Sequence, residues 1–104
     1  MTELAVLGGG QLGWMLGLAA ARLGIATRFL DPSPDAPAGR VGPLTVAALD
    51  DHEAVLRFAE GADVVTYEWE GVPASTIEAL LAAGHRVDPG VTPLAVSQDR
   101  LVEK

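Results

Sequence analysis

Leu4-Ala5-Val6-Leu7-Gly8-Gly9-Gly10-Gln11-Leu12-Gly13 is the stretch that decides the fold. Four apolar residues stopped by glycines read as a strand buried on both faces. Gly8, Gly10 and Gly13 match G-x-G-x-x-G, with a strand before the motif and a helix after it, the context it requires. Leu12, Met15, Leu16, Ala19 and Leu23 recur at helical spacing from Gln11 to Arg22, which predicts that they face the core. Gly24 then stands where a helix C-cap belongs.

The alternation continues outward. Ile25 to Leu30 reads as a second strand with Asp31 at its end, and the prolines of Asp31-Pro32-Ser33-Pro34-Asp35-Ala36-Pro37 enforce a loop. Pro43 to Ala47 is a short third strand. Asp50-Asp51 offers an N-cap for a helix whose inner face is Ala54, Val55, Phe58 and Ala59, ended by Gly61. Asp63 to Tyr67 is a fourth strand. Ile77, Leu80 and Leu81 mark a helix between Pro73 and Gly84, Arg86-Val87-Asp88 a fifth strand, and Leu94 to Lys104 a last helix opened by Thr92-Pro93. This βαβ order predicts an α/β domain: a Rossmann-like parallel sheet with helices on both faces. The last helix stops in mid-pattern without a cap, which reads as a piece cut from a longer protein.

Composition removes several classes. The 104 residues include seven basic and fourteen acidic side chains, a net charge of -7, which argues against a nucleic-acid partner. The length suits one compact domain over residues 1–104. No cysteine is present, so disulfides and thiolate chemistry are excluded, and the isolated His52 and His85 make no metal site and read as exposed. No apolar run reaches a membrane span, and Met1-Thr2-Glu3 lacks the basic start of a signal peptide. A cytoplasmic domain is expected.

Two places carry chemistry. Backbone N–H groups at a helix N-terminus after a glycine turn can donate to an anion, and Asp31, eighteen residues after Gly13, stands where a dinucleotide fold bonds a ribose hydroxyl. Binding of NAD, binding of another ligand, and close packing alone all remain open on the glycines. Thr66-Tyr67-Glu68-Trp69-Glu70-Gly71-Val72-Pro73 lies at the carboxyl end of the fourth strand. Glu68 and Glu70 share a face if the strand continues, which favours a donor-rich ligand over two solvated loop acids. Trp14 points outward or into an interface, and Arg100 is by default a surface charge.

These residues, in order, resemble the N5-carboxyaminoimidazole ribonucleotide synthetase family of ATP-grasp enzymes. The similarity lies in Gly8-Gly9-Gly10-Gln11-Leu12-Gly13 with Met15-Leu16, Ala20-Ala21-Arg22-Leu23-Gly24-Ile25, Asp31-Pro32 with Ala36-Pro37-Ala38, Thr66-Tyr67-Glu68-Trp69-Glu70 with Val72-Pro73, and Gln98-Asp99-Arg100 with Glu103-Lys104. Trp14 departs from it, because many members carry a basic residue there.

The resemblance implies a pre-ATP-grasp domain, with ATP-grasp and C-terminal domains lying outside this chain. It implies a ligase that carboxylates 5-aminoimidazole ribonucleotide with bicarbonate at the expense of ATP and Mg2+, in purine biosynthesis, and a homodimer. It places substrate binding on Gln11, Leu12 and Glu68, and an ATP contact on Arg100. The runner-up is the NAD-binding domain of an oxidoreductase, and a third reading is a non-catalytic nucleotide-sensing module.

Overall fold

The computed structural model of the chain describes residues 2–67 and 71–88. Its elements are β1 (Glu3–Leu7), α1 (Gln11–Arg22), β2 (Ala26–Asp31), a 3-10 turn (Pro37–Arg40), β3 (Leu44–Val46), α2 (His52–Ala59), β4 (Val64–Tyr67) and α3 (Ala74–Ala82). The strands form one parallel sheet in the order β3-β2-β1-β4. Leu7 is in register with Leu30 on one side and Tyr67 on the other. The expected third strand is present, trimmed to three residues. The expected fifth is reduced to a single parallel bridge between Val65 and Val87. Two hydrogen bonds hold it, from the Val65 N–H to the Arg86 carbonyl and from the Asp88 N–H to the Val65 carbonyl. The expected helix over 94–104 lies outside the described residues.

Strand alternation divides the core into two layers. Leu4 and Val6 point to one face with Phe29, Val64 and Ala20; Ala5 and Leu7 point to the other with Leu30, Val65, Val55 and Leu80. β1 is buried on both faces, as a central parallel strand must be. α1 covers the first layer, and α2 and α3 cover the second.

The facing of α1 corrects the sequence reading. The side it turns inward is Gly13, Gly17 and Ala20, while Leu12 is 70% exposed, Met15 54%, and Ala19 and Leu23 are also exposed. Leu16 alone of the predicted stripe is half-buried and packs against the core. The cause is space. A Cβ on Gly17 would stand 2.6 Å from Val41 Cγ2 and 3.0 Å from Phe29 Cζ. Periodicity weighs side-chain size, but this helix lies so close to β2 and the segment after the 3-10 turn that only small residues fit beneath it. Trp14, at the edge of this contact, is half-buried against the first layer rather than facing outward.

The other helices follow their signals more closely. The Asp51 carboxylate accepts the Ala54 N–H at 3.2 Å and caps α2, whose buried residues are Val55, Phe58 and Ala59. At its far end the Arg28 guanidinium donates to the Phe58 and Glu60 carbonyls, each at 2.8 Å, and so satisfies oxygens that the helix leaves open. α3 buries Thr76 and Leu80; the Thr76 hydroxyl donates to the Leu49 carbonyl at 2.8 Å and ties the helix to the loop before α2. Leu81, expected on the inner face, is exposed. No described helix is long and apolar enough to cross a membrane.

Candidate functional site

The sheet order makes β1 the switch point, because its connections leave toward β2 on one side and β4 lies on the other. Open parallel sheets bind ligands outside the carboxyl ends of their strands at such a point. The glycine turn leaves the sheet there after Leu7, and β4 ends there at Tyr67, Leu7's partner in the ladder. Their proximity follows from the parallel register.

Each glycine of the turn has a separate task. Gly8 takes φ 107°, a conformation that side chains rarely adopt, and its N–H donates to the Leu30 carbonyl at 2.7 Å. Gly9 is buried beneath the protein's own loop. Its N–H donates to Asp31 Oδ2 at 2.8 Å, its carbonyl accepts the Ala38 N–H at 2.9 Å, and a Cβ there would stand 3.0 Å from Ala36 Cβ. Gly10 is the N-cap of α1, with no side chain to bond the first turn. Gly13 belongs to the buried side of the helix.

This geometry changes the reading of Asp31. Its Oδ2 holds Gly9, and its Oδ1 accepts the Ser33 N–H at 2.9 Å. The carboxylate therefore clamps the glycine turn to the loop after β2, which replaces the ribose contact expected of it. A dinucleotide pyrophosphate needs the amides of this turn, and one of them is already engaged, with Ala36 and Ala38 packed over it. The close approach that the glycines allow is made here by the chain itself. Asp31→Ala is expected to destabilise the chain by about 2 kcal/mol, because the part-buried Gly9 N–H loses a charged acceptor. A urea midpoint measured beside Asp31→Asn, which keeps one oxygen, checks this; an unchanged Asp31→Ala midpoint would refute the clamp.

Gln11 and Leu12 open α1 and are both exposed at the rim of the crevice. Gln11 shares a hollow of about 240 Å³ with Trp14, Asp35, Pro37 and Arg40. The turn residues and Gln11 are thus brought together, beside the end of β4 at Tyr67. Glu68, Trp69, Glu70 and Arg100 lie outside the described residues. Asp35 and Arg40 escaped the sequence reading, since the proline-rich loop signals only the absence of helix and strand. His52 begins α2 and His85 follows Gly84; both are half-buried rather than exposed. Among the described residues, no three acidic or histidine side chains gather as metal ligands. A larger hollow, about 570 Å³, is lined by Glu3, Ala26 and Arg28 at the amino ends of the strands, away from the crevice.

A parallel sheet of this order, with a glycine turn at its switch point, defines the class: a Rossmann-like domain of the α/β type. The family model of the ribonucleotide synthetase preATP-grasp domain matches residues 1–98, and the chain belongs to that family. The N5-carboxyaminoimidazole ribonucleotide synthase of Brucella melitensis is 45% identical over 104 residues, which cover 99% of this chain and 28% of that protein. The crystal structure of N5-carboxyaminoimidazole ribonucleotide synthetase from Thermus thermophilus matches with a TM-score of 0.78 at 50% identity, over 97% of this chain and 28% of that one. The Staphylococcus aureus enzyme complexed with ADP gives 0.76 at 34% identity, over 99% of this chain and 28% of that one. The resemblance read from the motifs is borne out, and the chain spans about 28% of the length of these relatives.

Proposed function

We propose that residues 1–104 are the N-terminal, pre-ATP-grasp domain of an ATP-dependent ligase that joins bicarbonate to the amine of 5-aminoimidazole ribonucleotide, giving the N5-carboxyamino product. The observation that carries this reading is the match of the whole chain, glycine turn and β4 exit included, to relatives bearing that name at 45% and 50% identity. In such a reaction the γ-phosphoryl group passes from ATP to bicarbonate, ADP leaves, and carboxyphosphate delivers its carbon to the amine while phosphate departs.

This domain's part is to hold the ribonucleotide. Gln11 donates and accepts hydrogen bonds, which suits ribose hydroxyls or an imidazole edge. Leu12 supplies apolar wall beside it. Glu68 accepts from the amine and orients it, and puts no positive charge near the nucleophile. Arg100 contacts ATP at the junction with the following domain. ATP and Mg2+ are held mainly by the parts of the protein beyond this chain, where the metal neutralises phosphate charge. The domain alone does not catalyse. The full-length protein is a cytoplasmic homodimer on this reading.

The test is ADP release by the full-length protein, measured with and without bicarbonate and the aminoimidazole ribonucleotide. Release that needs both supports the reading. NADH binding without such release sinks it. Arg100→Ala in that protein is expected to raise KM for ATP about tenfold, the effect of losing one charged hydrogen bond. An unchanged KM removes Arg100 from the site.

A further inference from the structure

The outer side of α1 is unlike the outer sides of the other helices. Leu12, Met15, Leu18 and Leu23 are all exposed there, Leu18 by 44% and Leu23 by 43%, with Ala19 among them. They stand three or four residues apart, so their side chains adjoin along one stripe. Gln11 opens the stripe and Arg22 stands near its end; the helix holds no acidic residue, in a chain of net charge -7. α2 shows what a solvated face looks like in the same chain, for Glu53 and Arg57 are exposed there and pair at 3.5 Å. On α3 the exposed large apolar side chain is Leu81, which stands alone.

The amphipathic order of α1 is thus turned round. Its inner side carries Gly13, Gly17 and Ala20, and the larger side chains face away from the domain's own core. Both core layers close without them. The four exposed side chains offer about 400 Å² of mostly apolar surface, the size of the largest patch on a typical monomer, which is often a functional one.

Area decides between two occupants. A stable interface between separate copies of a chain takes about 800 Å² from each, and the stripe supplies about half of that. Domains of one polypeptide hold together through about 600–1,500 Å² counted over both sides, because the linking chain keeps them at high effective concentration. The stripe and its counterpart reach about 800 Å². Such a domain is at hand, since the chain spans only 28% of the length of its relatives. The described chain ends beside β4, where Val87 bridges Val65. That end lies two strand spacings, about 10 Å, from β1, against which α1 packs.

We propose that the outer side of α1 is the docking face for the part of the same polypeptide that follows residue 104. The surface seated on it is aliphatic, with a carboxylate opposite Arg22. This inference rests on the reading of the chain as the first domain of a longer enzyme, and not on the reaction assigned to that enzyme.

The experiment uses full-length protein with photoreactive p-benzoylphenylalanine in place of Leu18. Irradiation is expected to join position 18 to a peptide from beyond residue 104, in a product that keeps the mass of a single chain on a denaturing gel. A product of twice that mass would seat a second copy on the face and overturn the proposal. No cross-link at all would do the same, since the face would then be solvated. Leu18→Glu gives a second readout. Proteolytic cleavage past residue 104 is expected to run about tenfold faster in it than in wild type, as the docked part opens more often. Leu81→Glu, at the lone exposed leucine of α3, changes that rate by less than about twofold. Equal rates in the two variants would refute the docking face, and if Leu18→Glu does not fold, the cross-link decides. ADP release is measured on the same wild-type protein: the expected cross-link without ligase activity counts against the proposed reaction and supports the docking face.

Discussion

Gly17→Leu is expected to lower the stability of the chain by about 3 kcal/mol, read as a fall in the urea midpoint. Helix propensity alone predicts the opposite, since leucine is the better helix former by nearly ~1 kcal/mol. Space decides the sign. The new Cβ would enter within 2.6 Å of Val41 Cγ2 and 3.0 Å of Phe29 Cζ, and the rest of the side chain would follow. Val41 is β-branched and Phe29 is fully buried, so neither can move aside cheaply. α1 would have to lift from β2, opening the first core layer beneath it. The contrasting variant is Met15→Ala on the outer side of the same helix, expected to change stability by less than about 0.5 kcal/mol. Equal losses in the two would mean that the helix faces the other way.

Glu68→Ala in the full-length protein is expected to lower kcat/KM for the aminoimidazole ribonucleotide about a hundredfold, while KM for ATP changes by less than about twofold. The loss follows from the role proposed for Glu68: a carboxylate that orients the substrate amine contributes through a charged hydrogen bond, and ATP does not share that bond. Glu68→Gln separates charge from shape, since the amide keeps an acceptor oxygen and loses the charge. Equal losses for both substrates, or none, would take Glu68 out of the substrate site. Steady-state kinetics with each substrate varied in turn checks the prediction.

Much of the fold was legible because local chemistry and tertiary position agree. The apolar run before Gly8 became β1, Asp51 capped α2, and the β-branched centre of residues 63–67 became β4. The reading failed where a contact, rather than a pattern, chooses the outcome. Leu12, Met15 and Leu23 carry the stronger helical pattern, yet Gly13, Gly17 and Ala20 took the inner side, since the distance between helix and sheet is a property of the whole packing. Leu81 lies on the exposed side of α3, next to the buried Leu80, and residues 86–88 made one bridge in place of a strand.

The site divides in the same way. Gly8, Gly10 and Gly13 stood out by spacing, while Gln11 and Leu12 were assigned through the family resemblance. Glu68 drew attention through its pairing with Glu70 at the end of a strand, and its assignment to the substrate came from the family resemblance; Arg100 was assigned by that resemblance alone, since one arginine on a helix has a bland explanation. The partners of Asp31 and the position of Arg40 depend on how a proline-rich loop folds back over the turn, and no periodicity records that.

The clamp between Asp31, Gly9 and Ala38 bears on the entropy of binding. Both backbone groups of Gly9 are engaged before any ligand arrives, and the loop above is seated by Ala36 and Ala38. A flexible glycine turn would lose conformational freedom on each binding event, which weakens association. Here that ordering takes place once, during folding. If the crevice holds the ribonucleotide as proposed, its affinity is coupled to the integrity of these two hydrogen bonds, and loosening the clamp weakens binding through disorder of the turn.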